Sequence, residues 1–375
     1  MAQVLLLATM TTKLAEANFL SAQLLSAGVS YRVVDISLET GGAILDGDDK
    51  CRAMSVAASQ AIETILAHSD VEVVLGLGGG TGGEIALQVL RALPVTVPKV
   101  LVTTLPFDPR PAVADNAITI VPTLADISGL NDTLRDTFEN TALMVAGLCQ
   151  KTRKRKKHAF IPSVGITALG ATDDAVRRLV ERLALKKREA TVFHSNGYGG
   201  AAFARFAERD CFDAIIDLTP HELTRIYIAG AHVSMPTRFS AAGHLPRVVL
   251  PGALNFIGLG QKEILPKRYL ERPHYQHSAL FTHVKVTEDE MARVSHELAQ
   301  SLNALKGPST VILPMGGFSH HDRPGGAIED PILREVCAEI LEAEVQNAPV
   351  IRLNAHISAP EVTNCILTTL TDLTA

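Results

Sequence analysis

The sequence predicts an α/β protein built as doubly wound parallel sheets in two domains. Three observations carry this. Short apolar runs alternate with helical patterns along nearly the whole chain, which is the βαβ succession. The composition is 47% hydrophobic but only 5% aromatic, with no Trp, an aliphatic balance that suits strands buried on both faces. The 375 residues exceed a typical single core and fit two domains.

The elements follow in order. Val4–Ala8 is a strand and Lys13–Ala27 a helix; Tyr31–Ile36 is a strand that carries Asp35 at its end. Lys50–Ala67 is a helix, Val71–Leu75 a buried strand, Glu84–Leu93 a helix and Lys99–Thr103 a strand. Ala117–Val121 and Gly129–Leu148 complete the first series as strand and helix. The run Lys151–Lys157 has six basic residues in seven. It fits a solvated linker, or a nucleic-acid or nuclear-localisation patch, and the linker is favoured because the alternation restarts after it. The second series gives strands at Ser163–Thr167, Ala190–His194, Ala214–Leu218, Arg247–Leu250, Thr310–Pro314 and Pro349–Leu353. Helices are expected at Thr172–Leu185, Gly199–Asp210, Pro220–Gly230, Glu288–Leu305, Pro331–Gln346 and Pro360–Leu373, with a less regular stretch at Pro251–His283. The domains are drawn at 1–155 and 156–375, and the last helix is a candidate to pack back on the first domain.

The bulk numbers exclude several classes. A net charge of −5 argues against general nucleic-acid binding. Five scattered cysteines without a CxxC pair point to a reducing, cytoplasmic setting. The apolar start has no basic flank and is taken as a first strand rather than a signal peptide. No apolar run approaches 18 residues, so no membrane span is expected.

Six of the eight residues Gly76–Gly83 are glycine, between a buried strand and a helical pattern. Such a junction lets backbone approach an anion and offers it the unpaired N–H groups of a helix start. A tight turn without a ligand is the plain alternative. The spacing Gly78-x-Gly80-x-x-Gly83 matches the dinucleotide fingerprint only formally, because the next strand ends at Thr103-Thr104 without an acid. No Walker Gly-Lys-Ser/Thr follows. Thr9, Thr11, Thr12 and Lys13 close the first strand, on the edge where doubly wound sheets bind ligands. Helix capping by Thr11 or Thr12 explains them equally well.

In the second domain, three strands again run into polar, glycine-rich edges: His194–Gly200, Asp217–Glu222 and Pro314–Gly326. They suggest a second crevice. His274, His277 and His283 lie near one another in sequence, and His320-His321-Asp322 could meet them. No HExxH or HxH motif fixes ligand geometry, so no metal is assigned. No GxSxG elbow is present.

Taken together, Thr9–Lys13, Gly76–Gly83, Arg91–Thr104, Asp126–Asn131, Val164–Thr172, His194–Gly200, Asp213–Glu222, Pro251–Asn255, Tyr275–Thr287, Leu313–Gly326 and Asn354–His356 carry a resemblance over nearly the whole chain. The chain resembles a two-domain uncharacterised protein family that includes the ATP-binding N-terminal region of the tomato mosaic virus resistance protein. The resemblance implies two Rossmann-like doubly wound parallel-sheet domains facing a cleft, ATP with Mg²⁺ as cofactors, and a homodimer. It departs from the family pattern at Thr11, Asn255 and Asn354, where Asp is common, and at His283, where Arg is common.

The expected function is an ATP-binding enzyme acting on a small anionic metabolite in the interdomain cleft, with neither nucleic acid nor membrane as partner. A non-catalytic nucleotide- or partner-binding protein, and a metal-dependent hydrolase or lyase using second-domain histidines, are the alternatives. The nucleotide is expected at Thr9, Thr11, Thr12, Lys13, Asp35, Gly78, Gly79, Gly80, Thr81, Gly82, Thr103 and Thr104. The substrate is expected at Gly170, Thr172, Gly197, Gly199, Gly200, Thr219, Gly316, Gly317 and Ser319. His194, His277 and Asp322 are the candidates for acid–base work.

Overall fold

The computed structural model describes residues 3–39, 45–68, 71–106, 108–154 and 163–375. The chain divides into two compact units, Met1–Ala159 and Phe160–Ala375. Both are parallel α/β layers, as the alternation predicts.

The first unit holds β1 (Val4–Ala8), α1 (Leu14–Ser26), β2 (Tyr31–Asp35), α2 (Gly47–Leu66), β3 (Val73–Leu77), α3 (Gly80–Ala92), β4 (Lys99–Thr103), α4 (Arg110–Val113), β5 (Ile118–Pro122) and α5 (Asp132–Lys154). The all-aliphatic β1 is fully buried because it sits between β2 and β3 in a parallel sheet of order β2-β1-β3-β4-β5. Its side chains alternate between faces. Val4, Leu6 and Ala8 pack with Leu20 and Leu24 of α1 and Phe138 of α5. Leu5 and Leu7 pack with Ala58 of α2 and Ile85 of α3. The basic run enters this description only as the helical residues 151–154; the rest, and its reading as a linker, lie outside the described residues.

The second unit runs β6 (Ser163–Ala168), α6 (Asp173–Leu185), β7 (Ala190–His194), α7 (Tyr198–Glu208), β8 (Phe212–Asp217), α8 (Glu222–Thr224), β9 (Arg247–Val249), β10 (Phe256–Leu259), α9 (Lys267–Leu270), β11 (His274–Gln276), β12 (Thr282–Lys285), α10 (Glu288–Asn303), β13 (Ser309–Pro314), α11 (Pro331–Glu344), β14 (Val350–Leu353) and α12 (Pro360–Thr374). Its parallel sheet has the order β14-β13-β9-β8-β6-β7. Read from β7, this repeats the arrangement of the first unit with one strand more. The buried face of α12, with Val362, Ile366 and Leu370, joins Val164, Ile216 and Val248 of this sheet, so the last helix packs on its own unit. No helix among the described residues is long and apolar enough to cross a membrane.

Three sequence expectations need correction. The first concerns the glycine junction. β3 extends to Leu77 and α3 already begins at Gly80, so the connection is only Gly78-Gly79. A Cβ on Gly78 would fall 2.4 Å from the backbone of Gly82 and Gly83. Glycine lets helix and strand end touch there, so most of the cluster serves packing. Secondly, the stretch Pro251–His283 is not irregular: β10, β12 and β11 form an antiparallel sheet. These strands have three or four residues each, too few for a periodic signal. Thirdly, the helix expected at Pro220–Gly230 is only the short α8, followed by a π-turn over Arg225–Ala229 that Gly230 ends at φ +89°.

Candidate functional site

In the first unit, sheet order reverses between β1 and β3. Doubly wound sheets bind ligands at this switch point, outside their carboxyl ends. Several predicted residues gather there. A Cβ on Gly82 would lie 3.2 Å from Thr9, and one on Gly79 would lie 3.5 Å from the Thr104 hydroxyl and 3.9 Å from the Asp126 carboxylate. One on Gly83 would lie 3.0 Å from the buried Thr103 hydroxyl. The N-cap of α3 is Gly79, and no side chain caps it. The amides of Gly80, Thr81 and Gly82 therefore have no carbonyl within their own helix to bond.

The remaining predicted groups are engaged locally. The Lys13 ammonium donates to the Ile127 carbonyl. Thr9 and Thr12 share a hydroxyl hydrogen bond of 2.9 Å. The amide of Thr11 donates to the Ser37 hydroxyl at 3.0 Å. Neither Thr11 nor Thr12 caps α1, whose N-cap is Lys13 without a side-chain bond. Asp35 accepts from the Met10 amide and from the Ser37 amide and hydroxyl, tying the ends of β1 and β2 together. Burial pushes its carboxyl up, but the bonds from Ser37 and Met10 outweigh this and leave it below the usual range.

The second unit carries a cavity of about 320 Å³ at its own switch point, between β6 and β8. Its wall includes Leu169 and Gly170 after β6, His194–Tyr198 after β7, His221 and Glu222 after β8, and Phe256, Gly258, His277, Phe281 and His283 from the antiparallel sheet and its hairpin. Ala171, Arg225 of the π-turn, His232 and Met235 complete the set.

His221 is fully enclosed, and burial lowers its pKa to about 4. The Ala253 carbonyl lies 2.7 Å from Nδ1, so Nδ1 carries the proton and Nε2 keeps a free lone pair. Ala253 turns its carbonyl there from a left-handed backbone, φ +57°, which a non-glycine residue adopts at a cost of about 1–2 kcal/mol. Gly258 makes room for the ring: a Cβ would stand 3.1 Å from His221 Nε2.

Glu222 is equally buried, and burial raises its pKa even against the pull of Arg238. Arg238 approaches one of its oxygens to 3.3 Å, yet neither oxygen has a well-formed hydrogen bond. A Cβ on Gly200 would come within 2.4 Å of the same carboxylate. Beneath it, Arg238 bonds Asp217 through two contacts of 2.8 Å, and Thr167 donates to Asp217 at 2.7 Å. Arg225 is half-buried; burial lowers its pKa, and its Nε has no hydrogen-bond partner.

Rings stack along one wall. His221 meets Phe256 at 4.7 Å, Phe256 meets His283 at 4.2 Å, and His283 meets His277 at 5.0 Å with planes 9° apart. His321 lies over Tyr275 at 4.0 Å. His277, His283 and His321 each offer a ring nitrogen, all within 4.8 Å of one another. A second cavity of about 360 Å³, lined by His277, His320, His321, Asp173 and Asp174, opens beside the first. His274 is held apart, with its Nδ1 on the Arg272 carbonyl at 2.8 Å.

The predicted second-domain residues thus divide. His194, His277, Gly170 and Gly197 line the cavity. His194 is partly open to solvent, and the desolvation that remains lowers its pKa. Thr172 and Thr219 lie buried and bond each other at 2.9 Å. Gly199 and Gly200 let α7 close on the end of β7 and on Glu222. Asp322 is outside the wall: it is buried and fully engaged by Arg334 at 2.7 Å and by the amides of Phe318 and Asp330. It organises the loop after β13, and an acid–base role has no geometric basis. Gly316 and Gly317 pack against Ala355, His356 and the Asp322 backbone. The Ser319 hydroxyl is buried without a partner.

The sequence pattern named the edge Asp217–Glu222 but gave His221 and Glu222 no role. It missed Arg225 because a π-turn looks like ordinary helix in sequence, and Phe256 because its strand is short.

Comparison with known proteins agrees along the chain. Residues 40–154 match the N-terminal domain, and residues 161–374 the C-terminal domain, of the Uncharacterised protein family (UPF0261). A UPF0261 protein of Rhizobium meliloti is 31% identical over 91% of this chain and 88% of its own length. One of Clostridium tetani is 26% identical over 96% of each. The ToMV resistance protein Tm-1 of Solanum lycopersicum is 27% identical over 88% of this chain, which corresponds to 45% of that protein. The chain belongs to the UPF0261 family.

Proposed function

We propose that the chain is an enzyme acting on a small anionic metabolite bound in the second unit's cavity. The observation that carries this is Arg225: a half-buried guanidinium in the cavity wall, with Nη1 on the Gly258 carbonyl at 3.4 Å, beside the buried His221 and Glu222. A carboxylate or phosphate in the cavity supplies the counter-charge for that guanidinium. His221, neutral at pH 7, offers its Nε2 lone pair to a hydrogen-bond donor of the ligand, and Glu222, whose pKa burial raises, is the acidic group beside it. His194 serves the mouth of the cavity. Thermal shift with a panel of small carboxylates and phosphate esters tests the reading. A ligand at about 100 times its Kd adds roughly 2.7 kcal/mol to stability. The shift should vanish in Arg225→Ala; an undiminished shift in that variant rejects the site.

A second reading concerns the first unit, and the uncapped start of α3 at the β1/β3 switch point supports it. There the chain binds the phosphates of ATP through the amides of Gly80–Gly82, with Mg²⁺ held by Asp126 and the Thr104 hydroxyl. ATP with Mg²⁺ should raise the melting temperature more than inorganic phosphate does. Equal shifts from both would leave a phosphate site and remove the nucleotide.

A further inference from the structure

We propose that His277, His283 and His321 form a binding site for one divalent transition-metal ion of the zinc class, with an open coordination position towards the cavity. The inference goes beyond the reading of the cavity as a metabolite site and stands without it, because its observations are the three rings themselves.

Three histidines from separate segments converge: His277 from the β11–β12 hairpin, His283 from β12 and His321 from the loop after β13. Their ligating nitrogens lie within 4.8 Å of one another. A tetrahedral ion with Zn–N bonds of about 2.0–2.1 Å holds its nitrogens roughly 3.4 Å apart, so the three nitrogens must draw closer on binding. His277 is exposed at the hairpin and is the ring with freedom to move. His283 Nδ1 is buried with no hydrogen-bond partner, a polar atom that neither protein nor solvent satisfies. Metal coordination is one way to satisfy it.

Protonation agrees with this set. Burial first, and neighbouring histidines second, lower His283 to about 3 and His321 to about 4, so both rings are neutral at pH 7, the form that binds metal. Three imidazoles without a thiolate favour zinc and its borderline neighbours over calcium or magnesium. Three protein ligands leave the fourth position open, as in catalytic rather than structural sites. His277 and His283 also line the cavity with Arg225 and Glu222, which places the open position on the cavity side. An ion there polarises a carbonyl or lowers the pKa of a bound water.

The geometry makes a second demand. His277 and His283 are stacked nearly parallel, and in-plane lone pairs of stacked rings cannot share one ion. Metal binding must therefore turn His277 out of the stack.

The test uses the full chain, stripped with chelator and titrated with Co²⁺ and Zn²⁺. One equivalent of Co²⁺ should give the visible absorption of a four- or five-coordinate ion, and Zn²⁺ should displace it. His277→Ala and His321→Ala should each weaken Co²⁺ binding more than tenfold, while His296→Ala, on the exposed face of α10, should not. Circular dichroism checks that each variant is folded, and His277→Ala removes an exposed ring that packing does not require. In the ¹H–¹⁵N spectrum, the His277 and His283 ring signals should move together on adding Zn²⁺. The proposal is overturned if no Co²⁺ band forms, or if His277→Ala and His321→Ala bind as tightly as His296→Ala.

Discussion

Arg238 and Asp217 face each other through two parallel hydrogen bonds of 2.8 Å, both side chains fully buried beneath the cavity. Arg238 also faces Glu222 at 3.3 Å and lies over the Phe203 and Phe239 rings at 4.9 and 4.5 Å. Arg238 thus balances two buried carboxylates, with Arg247 adding to the charge that favours Asp217, and Thr167 is the only other side chain that donates a hydrogen bond to Asp217 among the described residues. Arg238→Ala leaves Glu222 without its cation and Asp217 with only the weaker help of Arg247. The expected loss is about 3–5 kcal/mol, read as a lower urea midpoint at unchanged m. Part of it should return as the pH falls and those acids protonate. A loss below about 1 kcal/mol would mean that the pair does not anchor the site.

The pH dependence follows from His221. Its pKa falls from 6.5 in the unfolded chain to about 4 in the native state. Between those values the unfolded state binds the extra proton. Stability is therefore flat above about pH 7, declines as pH drops through 6.5, and stops declining below about 4. At about 1.4 kcal/mol per unit, the full descent for this one ring is about 3 kcal/mol. His283 and His321, lowered by the same cause and by neighbouring histidines, act in the same direction. Denaturation at pH 7 and pH 4.5 should show a smaller difference in His221→Gln than in the parent. An equal difference would assign the slope to other groups.

Much of this was legible in sequence, and the reasons are physical. β1, β4 and β7 were legible to the residue because an aliphatic run bounded by polar residues has little choice of state. The switch-point edges were legible because glycine and threonine gather where strands end. What was not legible depended on contacts between distant residues. No local pattern announces that His321 meets His283, or that Arg334 claims Asp322. The glycine junction was misplaced because glycine pattern reports close approach and loop alike, and here Gly78 pressed against Gly82 supplies the former.

That distinction is measurable at two neighbouring positions. A Cβ at Gly78 collides with backbone that cannot yield, so Gly78→Ala should cost about 1–3 kcal/mol or more. A side chain at Gly80 meets nothing within 4 Å. Gly80→Asp should keep the melting temperature within a few degrees, because an acid suits a helix start, and should abolish any phosphate-dependent shift. Phosphate binding retained in the folded Gly80→Asp protein would detach the ligand from α3.

Gly200→Ala probes the second unit in the same way. The added methyl would overlap the Glu222 carboxylate at 2.4 Å and push it from its seat beside Arg238. We expect a loss of about 1–3 kcal/mol together with weakened ligand binding, whereas Gly170→Ala, with open space around it, should change neither stability nor fold. Equal behaviour of the two variants would show that the Glu222 position is not set by Gly200.

β9 and β13 are neighbours in the sheet, yet residues 250–308 run between them and carry the antiparallel strands with Phe256, His277 and His283. The sheet takes from that excursion the packing of Leu254, Ile257, Val284 and the apolar face of α10, and this packing does not depend on the histidine rings. A lineage can therefore keep those apolar residues and exchange one set of reactive rings for another, while the strands that fold the unit go untouched. The chemistry of such a protein is free to diverge faster than its architecture, and kinship of fold is then a poor guide to the molecule each relative transforms.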